Sequence, residues 1–427
     1  MSGHRRDDRR VRLGAGAATA VLIGLAGCSM QPISGAPLVS GGLQPMSSQD
    51  MVRAKAMQAQ LAPFATQPTT WNNRITLHPD RDAFPTLMKL LDGAKKSIYL
   101  ETFELHADTS ARQLADKLIE KHKAGLEVRV IIDRIGEKGN NANLYKRLID
   151  HGIPTVVYGP FPYWRAGEKG FNITHRKLYL VDGDRGMTGG MNLGDDYFVR
   201  DHDMLWLVEG EAAHAMHREF ATDWRLGKGT AAINLPPAPI GTYGSEPIGM
   251  AVTSPREPGR EQEIFKVLLR AIDSAKTRID IAYPFFWDDT LIDRLAKAEA
   301  RGVQVRVILT KFSSSFTDKL DRWSAKQGTP KGLEFKWYSN STYSHIKYTA
   351  IDDNFLAIGS SNGDSLTFYN NQELDLLLSN PRTVAMFRSR ISDPDWASGV
   401  ALTAADLNIP ASQKPLYSLL ELLDYYM

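Results

Sequence analysis

Two hydrophobic rhythms alternate along most of the chain. Apolar positions at helical spacing over 82–94 (DAFPTLMKLLDGA) predict a helix, and Ser97-Ile98-Tyr99-Leu100-Glu101-Thr102-Phe103 predicts a strand. A second helix is expected at about 109–124, followed by a strand from Val128 to Asp133. The same order then returns: helix 260–275, strand 278–283, helix 289–301, strand 305–309. The segments GLEVRVIID at 125–133 and GVQVRVILT at 302–310 spell nearly the same helix stop and strand. Helices alternating with almost continuously apolar strands predict α/β units around a parallel-rich sheet covered on both faces. A repeat of this length is far too long for a solenoid. It predicts a duplicated domain with pseudo-two-fold symmetry and a site where the halves meet.

The punctuation between these elements sets the expected organisation. A Gly- and Pro-rich stretch at 226–248 separates a first unit, 76–225, from a second, 249–395, and 396–427 follow as a C-terminal segment. Residues 28–75 are rich in Ser, Gly, Pro and Gln and read as a tether and lead-in, with a short helix near 48–61. Residues 1–27 differ from everything after them. Arg5, Arg6, Arg9, Arg10 and Arg12 precede an uncharged apolar run from Leu13 to Gly27, which is short for a membrane span and suits a secretory signal. Leu25-Ala26-Gly27-Cys28 resembles the lipobox of bacterial lipoproteins, which implies lipidation at Cys28 and anchoring in the cell envelope. Ser29 points to the outer membrane, facing the periplasm; Arg9-Arg10 leaves open whether export is by the general or the twin-arginine route.

Composition changes this picture only modestly. The 427 residues are 23% charged and 43% hydrophobic, which excludes wholesale disorder, a collagen-like repeat and a multi-span membrane protein. A single Cys excludes an intrachain disulfide, and its place in the lipobox argues for export rather than for the cytosol. The net charge is +2, but residues 1–27 hold five Arg and two Asp. Their removal leaves 46 basic against 47 acidic side chains, a net of −1. A neutral body carries no broad footprint for a polyanion.

The chemistry is written twice. His175-Arg176-Lys177 is followed after four residues by Asp182, then by Gly189-Gly190-Met191-Asn192. His345-Ile346-Lys347 is followed after four residues by Asp352, then by Gly359-Ser360-Ser361-Asn362. Every matched pair is offset by 170 residues, and the register extends to Asp203 and Glu373. One HxKx4D pattern arises by chance in roughly a few per cent of chains this long; two with shared downstream Gly and Asn do not. On a strand, residues two apart share a face, so each His and Lys point the same way, and the turn residues after them suggest a hairpin. Two imidazoles, two ammonium groups and two amides around one pocket suit a phosphodiester. Lys177, Lys347, Asn192 and Asn362 would hold the non-bridging oxygens. One imidazole would attack phosphorus and the other would protonate the leaving oxygen. Asp203 and Glu373 are placed to orient the histidines through Nδ1.

These motifs resemble the phospholipase D superfamily over about residues 76–395. Within it the chain is similar to bacterial cardiolipin synthases: GGMNLGDDYF (189–198), YPFFWDD (283–289) and Asn371-Gln372-Glu373 resemble that family's signatures. The resemblance implies two phospholipase D-like α/β/α sandwich domains in one chain. It implies a ping-pong reaction through a phosphatidyl-histidine, with no metal or organic cofactor. Water resolving the intermediate gives hydrolysis; an alcohol such as the glycerol end of phosphatidylglycerol gives transfer. The implied catalytic set is His175, His345, Lys177, Lys347, Asp182, Asp352, Asp203 and Glu373. His175 is the nucleophile and His345 the acid then base, in an order that symmetry leaves open. Asp182 and Asp352 would stabilise the motif hairpins. Two departures stand out: Gly-Ser-Ser-Asn in the second copy, and Asp201-His202-Asp203 where the family carries Trp-Arg-Asp.

The expected partners are a phospholipid and, through the anchor, a membrane. No nucleic acid is expected, and a monomer suffices because both half-sites lie in one chain. A nuclease and a non-catalytic envelope-binding protein remain as competing functions. His106, His122, His151, His214 and His217 read as core or surface groups, and His202, next to Asp203, as a surface loop residue in preference to a support for the site. The aromatic loops at 158–165 and at Phe285-Phe286-Trp287 could equally dip into a bilayer or pack on the core. The apolar positions of 415–427 are expected to dock on the body.

Overall fold

The computed structural model describes residues 38–40, 46–138, 143–159, 173–235, 237–311, 316–338 and 342–408. Cys28 and the segment 1–27, residues 160–165 of the first aromatic loop, and 415–427 lie outside the described residues. The strands are β1 (Leu38–Ser40), β2 (Asn73–Pro79), β3 (Ser97–Thr102), β4 (Glu127–Asp133), β5 (Thr155–Tyr158), β6 (Leu178–Val181), β7 (Arg185–Gly189) and β8 (Met204–Gly210). The second half supplies β9 (Ile248–Thr253), β10 (Arg278–Tyr283), β11 (Gln304–Leu309), β12 (Glu334–Trp337), β13 (Tyr348–Ile351), β14 (Phe355–Gly359), β15 (Glu373–Leu378) and β16 (Val400–Ala401). They form two sheets, ordered β1-β2-β8-β7-β6-β3-β4-β5 and β16-β12-β11-β10-β13-β14-β15-β9. Without the edge strands β1 and β16, the two orders are the same, so the duplication read from the motifs extends to the whole topology.

The sheets are mixed rather than parallel-rich. In the first, only β3 with β4 and β4 with β5 run parallel, and every other pairing is antiparallel. The reason lies in the connections. Helices join β3 to β4 and β10 to β11, which allows crossover. The chain between β6 and β7 is only Asp182-Gly183-Asp184, and so short a turn forces an antiparallel hairpin.

The helices follow their apolar spacing. The helix Thr109–Lys123 starts at Asp108, whose carboxylate accepts from the Ala111 N–H at 3.2 Å. It buries Ala111, Leu114, Ala115, Leu118 and Ile119, at i, i+3, i+4, i+7 and i+8, and leaves Asp116, Glu120 and Lys123 exposed. Its counterpart Asp289–Glu299 starts at Asp288, which accepts from Leu291, and buries Leu291, Ile292, Leu295 and Ala298. The helix Ser48–Leu61 forms where expected, but it is no mere lead-in. Met57 and Leu61 join the apolar core of the second half, and Gln58 donates to the Leu377 carbonyl at 3.0 Å.

One apolar layer belongs to both halves. Leu178, Leu180, Trp206 and Phe220 pack in a single cluster with Tyr348, Leu374, Leu376 and Phe387. The described residues accordingly form one compact unit. Among the described residues no helix is long and apolar enough to cross a membrane. Phe286 is fully buried, while Phe285 and Trp287 are half-buried beside it, so this loop packs on the body with one aromatic edge outward.

Candidate active site

The motif segments leave their own sheets to reach each other. The ladders begin at Leu178 and Tyr348, one residue after each Lys, so His175–Lys177 and His345–Lys347 are extended lead-ins rather than strand interior. The His175 N–H donates to the Gln372 carbonyl at 2.9 Å, and the Gln372 N–H donates to Ile173 at 2.8 Å. The mirror pair repeats it: His345 N–H to the His202 carbonyl at 2.8 Å, and His202 N–H to Tyr343 at 2.8 Å. Gln372 precedes Glu373 and His202 precedes Asp203. Each carboxylate therefore lands beside the histidine of the opposite half. His175 Nδ1 lies 3.0 Å from Glu373 Oε1, and His345 Nδ1 lies 2.7 Å from Asp203 Oδ2.

These groups are buried: 5–6% exposure for the histidines and none for the two acids. Burial holds both imidazoles well below the usual histidine range, and Lys177 and Lys347 push them further down. Burial also brings Lys177 down to about 7 and Lys347 to about 8, and raises Asp203 and Glu373 to about 7. All six groups are thus driven toward neutral forms, as expected of a dry site from which charges have been withdrawn from water. A carboxylate facing Nδ1 assigns the proton of the neutral ring to Nδ1 and leaves the Nε2 lone pair for chemistry.

The ammonium groups complete the floor. Lys177 Nζ donates to the His175 carbonyl at 2.6 Å, and Lys347 Nζ to the His345 carbonyl at 2.7 Å. Lys347 Nζ also lies 3.0 Å from His345 Nε2. Asn192 Oδ1 accepts from the Glu104 N–H at 3.3 Å, whereas Asn362 Oδ1 is buried with no partner among the described residues. Two lysines, two amides and two imidazoles converge, which is the donor and nucleophile set a phosphodiester requires.

Both halves match the sequence model described as "Cardiolipin synthase, PLD-like domain", over residues 87–224 and 268–396. The chain belongs to this phospholipase D-like, cardiolipin synthase-type family. Curated relatives include the "Probable cardiolipin synthase YwiE" of Bacillus subtilis (strain 168), 26% identical over 76% of this chain and 66% of that protein. "Cardiolipin synthase A" of Pseudomonas entomophila (strain L48) is 27% identical over 88% of this chain and 79% of that protein. The chain spans just under two thirds of the length of the first of these relatives, and the same share of the "Major cardiolipin synthase ClsA" of Bacillus subtilis (strain 168). The crystal structure of phosphatidylserine synthase from Haemophilus influenzae Rd KW20 has a TM-score of 0.62 at 14% identity, covering 86% of this chain and 96% of that one. Polyphosphate kinase from Porphyromonas gingivalis has a TM-score of 0.52 at 13% identity, covering 90% and 57%. At these identities the structures establish the fold alone.

In this phospholipase D-like protein the sequence-predicted set divides. His175, His345, Lys177, Lys347, Asn192, Asn362, Asp203 and Glu373 come together, and Asp182 and Asp352 do not. Six residues of extended chain, roughly 20 Å, separate these aspartates from their histidines. Asp182 Oδ1 accepts from the Lys96 N–H at 2.7 Å and the Ser97 N–H at 3.0 Å; Asp352 Oδ1 accepts from Thr277 at 2.8 Å and Arg278 at 3.1 Å. Both occupy positive φ, 57° and 48°, at the hairpin turns. Their place in a catalytic list is corrected: they tie each turn to the start of β3 or β10.

The two departures in the motifs have physical reasons. A Cβ on Gly190 would stand 2.2 Å from Asp203 Oδ1, so the first copy needs Gly where the short carboxylate packs against the backbone. The longer Glu373 leaves room for Ser360, whose hydroxyl donates to it. His202 is no surface loop residue. It is buried, with Nδ1 2.8 Å from Asp80 and Nε2 3.1 Å from Asp395, and those carboxylates raise its pKa against its burial. The signal for it was its register with Gln372, 170 residues on. Sequence reasoning also missed Phe103, Glu104 and Tyr197. Phe103 meets His175 edge-on at 5.2 Å, and Tyr197 meets His345 at 5.2 Å.

Proposed function

We propose that this protein is a phosphatidyltransferase acting on glycerophospholipids, with phosphatidylglycerol as donor and as the alcohol acceptor. The observation that carries the reading is the pair of crosswise His–carboxylate dyads closing one lysine-lined pocket. His175 Nε2 attacks phosphorus, and the bond from phosphorus to the departing headgroup oxygen breaks. His345 supplies the proton that leaves with the headgroup alcohol, since an arriving phosphodiester anion favours its imidazolium. Lys177 and Lys347 hold the non-bridging oxygens as charge builds on them. In the second half-reaction His345 takes the proton from the acceptor hydroxyl, whose oxygen displaces His175. The same intermediate attacked by water yields phosphatidic acid.

Purified protein with phosphatidylglycerol vesicles is expected to form cardiolipin, and His175→Ala or His345→Ala to lower turnover by at least about a thousandfold. Turnover surviving either substitution rejects the two-histidine mechanism. We also propose that Cys28 carries the lipid that anchors the protein in the cell envelope, on the strength of the lipobox-like Leu25-Ala26-Gly27-Cys28. Cys28→Ala should move the protein from the membrane to the soluble fraction, and retention on the membrane would refute a Cys28 anchor.

A further inference from the structure

The floor of the pocket is chemically symmetric, and its rim is not. The chain leaving β3 and the chain leaving β10 make matching backbone bonds. The Leu193 N–H donates to the Glu104 carbonyl at 3.1 Å and the His106 N–H to Leu193 at 2.8 Å. The Gly363 N–H donates to Phe285 at 2.9 Å and the Trp287 N–H to Gly363 at 3.0 Å. Glu104 is thus the counterpart of Phe285, and His106 of Trp287. One side presents a carboxylate and an imidazole; the other presents two aromatic rings with centroids 5.8 Å apart.

The carboxylate is firmly held. The Tyr197 hydroxyl donates to Glu104 Oε2 at 2.7 Å, and His106 Nε2 lies 2.8 Å from the same oxygen. Among the described residues both bonds reach Oε2, which leaves Oε1 to accept from a ligand. The Glu104 side chain keeps 24% exposure, and the ring that fixes it, Tyr197, packs edge-on against His345. Its negative charge is felt at His175, His345 and Lys177. A carboxylate that close to an anion-binding floor repels the phosphodiester, a cost that makes sense only if it serves another part of the reaction. The groups in that reaction that donate hydrogen bonds are the alcohols, and they depart and arrive beside the acid–base His345.

We propose that Glu104, positioned by Tyr197 and His106, is the acceptor-binding residue of the site and selects alcohols carrying a second hydroxyl, as a glycerol headgroup does. This rests on the phosphatidyl-transfer reading above. A polyol would place one hydroxyl at His345 and donate a neighbouring one to Glu104 Oε1; a monohydric alcohol has no second hydroxyl, and water has no second oxygen from which to reach both groups.

The test is a competition in one tube. The full chain acts on phosphatidylglycerol vesicles with either deuterated glycerol or deuterated ethanol, and mass spectrometry reads the ratio of labelled transfer product to phosphatidic acid. That ratio does not depend on the folded fraction. Glu104→Ala should lower it about tenfold with glycerol, the scale of one lost hydrogen bond to a charged group, Glu104→Gln, which keeps a neutral acceptor, should lower it by less, and both should change it less than twofold with ethanol. An unchanged glycerol ratio, or an equal fall with both alcohols, overturns the subsite while leaving transfer intact. A wild-type protein that yields only phosphatidic acid rejects the transfer reading and the subsite with it.

Discussion

The residues of this site are shaped by the removal of water from charge. A lysine in water keeps its proton to about pH 10, yet Lys177 and Lys347 are held at about 7 and about 8 by burial. In the proposed mechanism phosphate binding needs both ammonium groups. As pH rises through these values the free protein loses charge, so kcat/KM should fall between about pH 7 and pH 9. A bound phosphodiester anion favours the charged lysines, so the alkaline limb of kcat should lie higher than that of kcat/KM. Lys177→Arg keeps a charge at every pH and should move the limb upward, though with reduced turnover because the guanidinium is a planar fork rather than a point charge. A kcat/KM profile flat to pH 9 would contradict this assignment. None of these shifts can be read from a sequence, because they arise from desolvation. What could be read was the residue type and spacing of His175 and Lys177, which is why the phosphodiester chemistry was legible and its protonation state was not.

At the scale of elements, the strands and helices around each motif were legible because their apolar spacing is regular and their turns are short. β2 and β9 were not singled out, since they sit where Pro- and Gly-rich stretches give way to strand without a helix between. The pairing of Asp203 with His345 and of Glu373 with His175 was equally hidden. Register assigns each acid to its own copy, and only the backbone bonds at His202 and Gln372 carry it across. The hairpin aspartates were counted with the catalytic set, yet the hairpin-stabilising task expected of them is the one their bonds perform. Asp182→Ala strips a carboxylate from three backbone N–H groups, of Lys95, Lys96 and Ser97, and from Arg185. It should cost about 2 kcal/mol of stability, measured by urea unfolding, with activity falling only in step with the folded fraction. His175→Ala should do the reverse, abolishing turnover with little loss of stability. A full loss of activity in well-folded Asp182→Ala would return that carboxylate to the chemistry.

For the whole molecule, duplication has a consequence for how the site can fail. Each His takes its carboxylate from the other half, so neither half holds a complete dyad, and the distance between the sheets must be kept to within hydrogen-bond tolerance. The shared apolar layer does this. Phe387 is fully buried there, 4.8 Å from the Tyr348 ring and 6.1 Å from that of Trp206. Phe387→Ala should cost about 3–5 kcal/mol through lost burial and the cavity left behind. Because the layer joins residues of both sheets, the two halves should unfold together. Tryptophan fluorescence, far-ultraviolet circular dichroism and residual activity should then trace one urea transition, shifted to lower denaturant in the variant. If the halves were independent, activity would vanish in a first transition while half of the ellipticity survived to a second. A phosphodiester site split across two copies works only when the copies behave as one folding unit, and coincident transitions are the measurable form of that requirement.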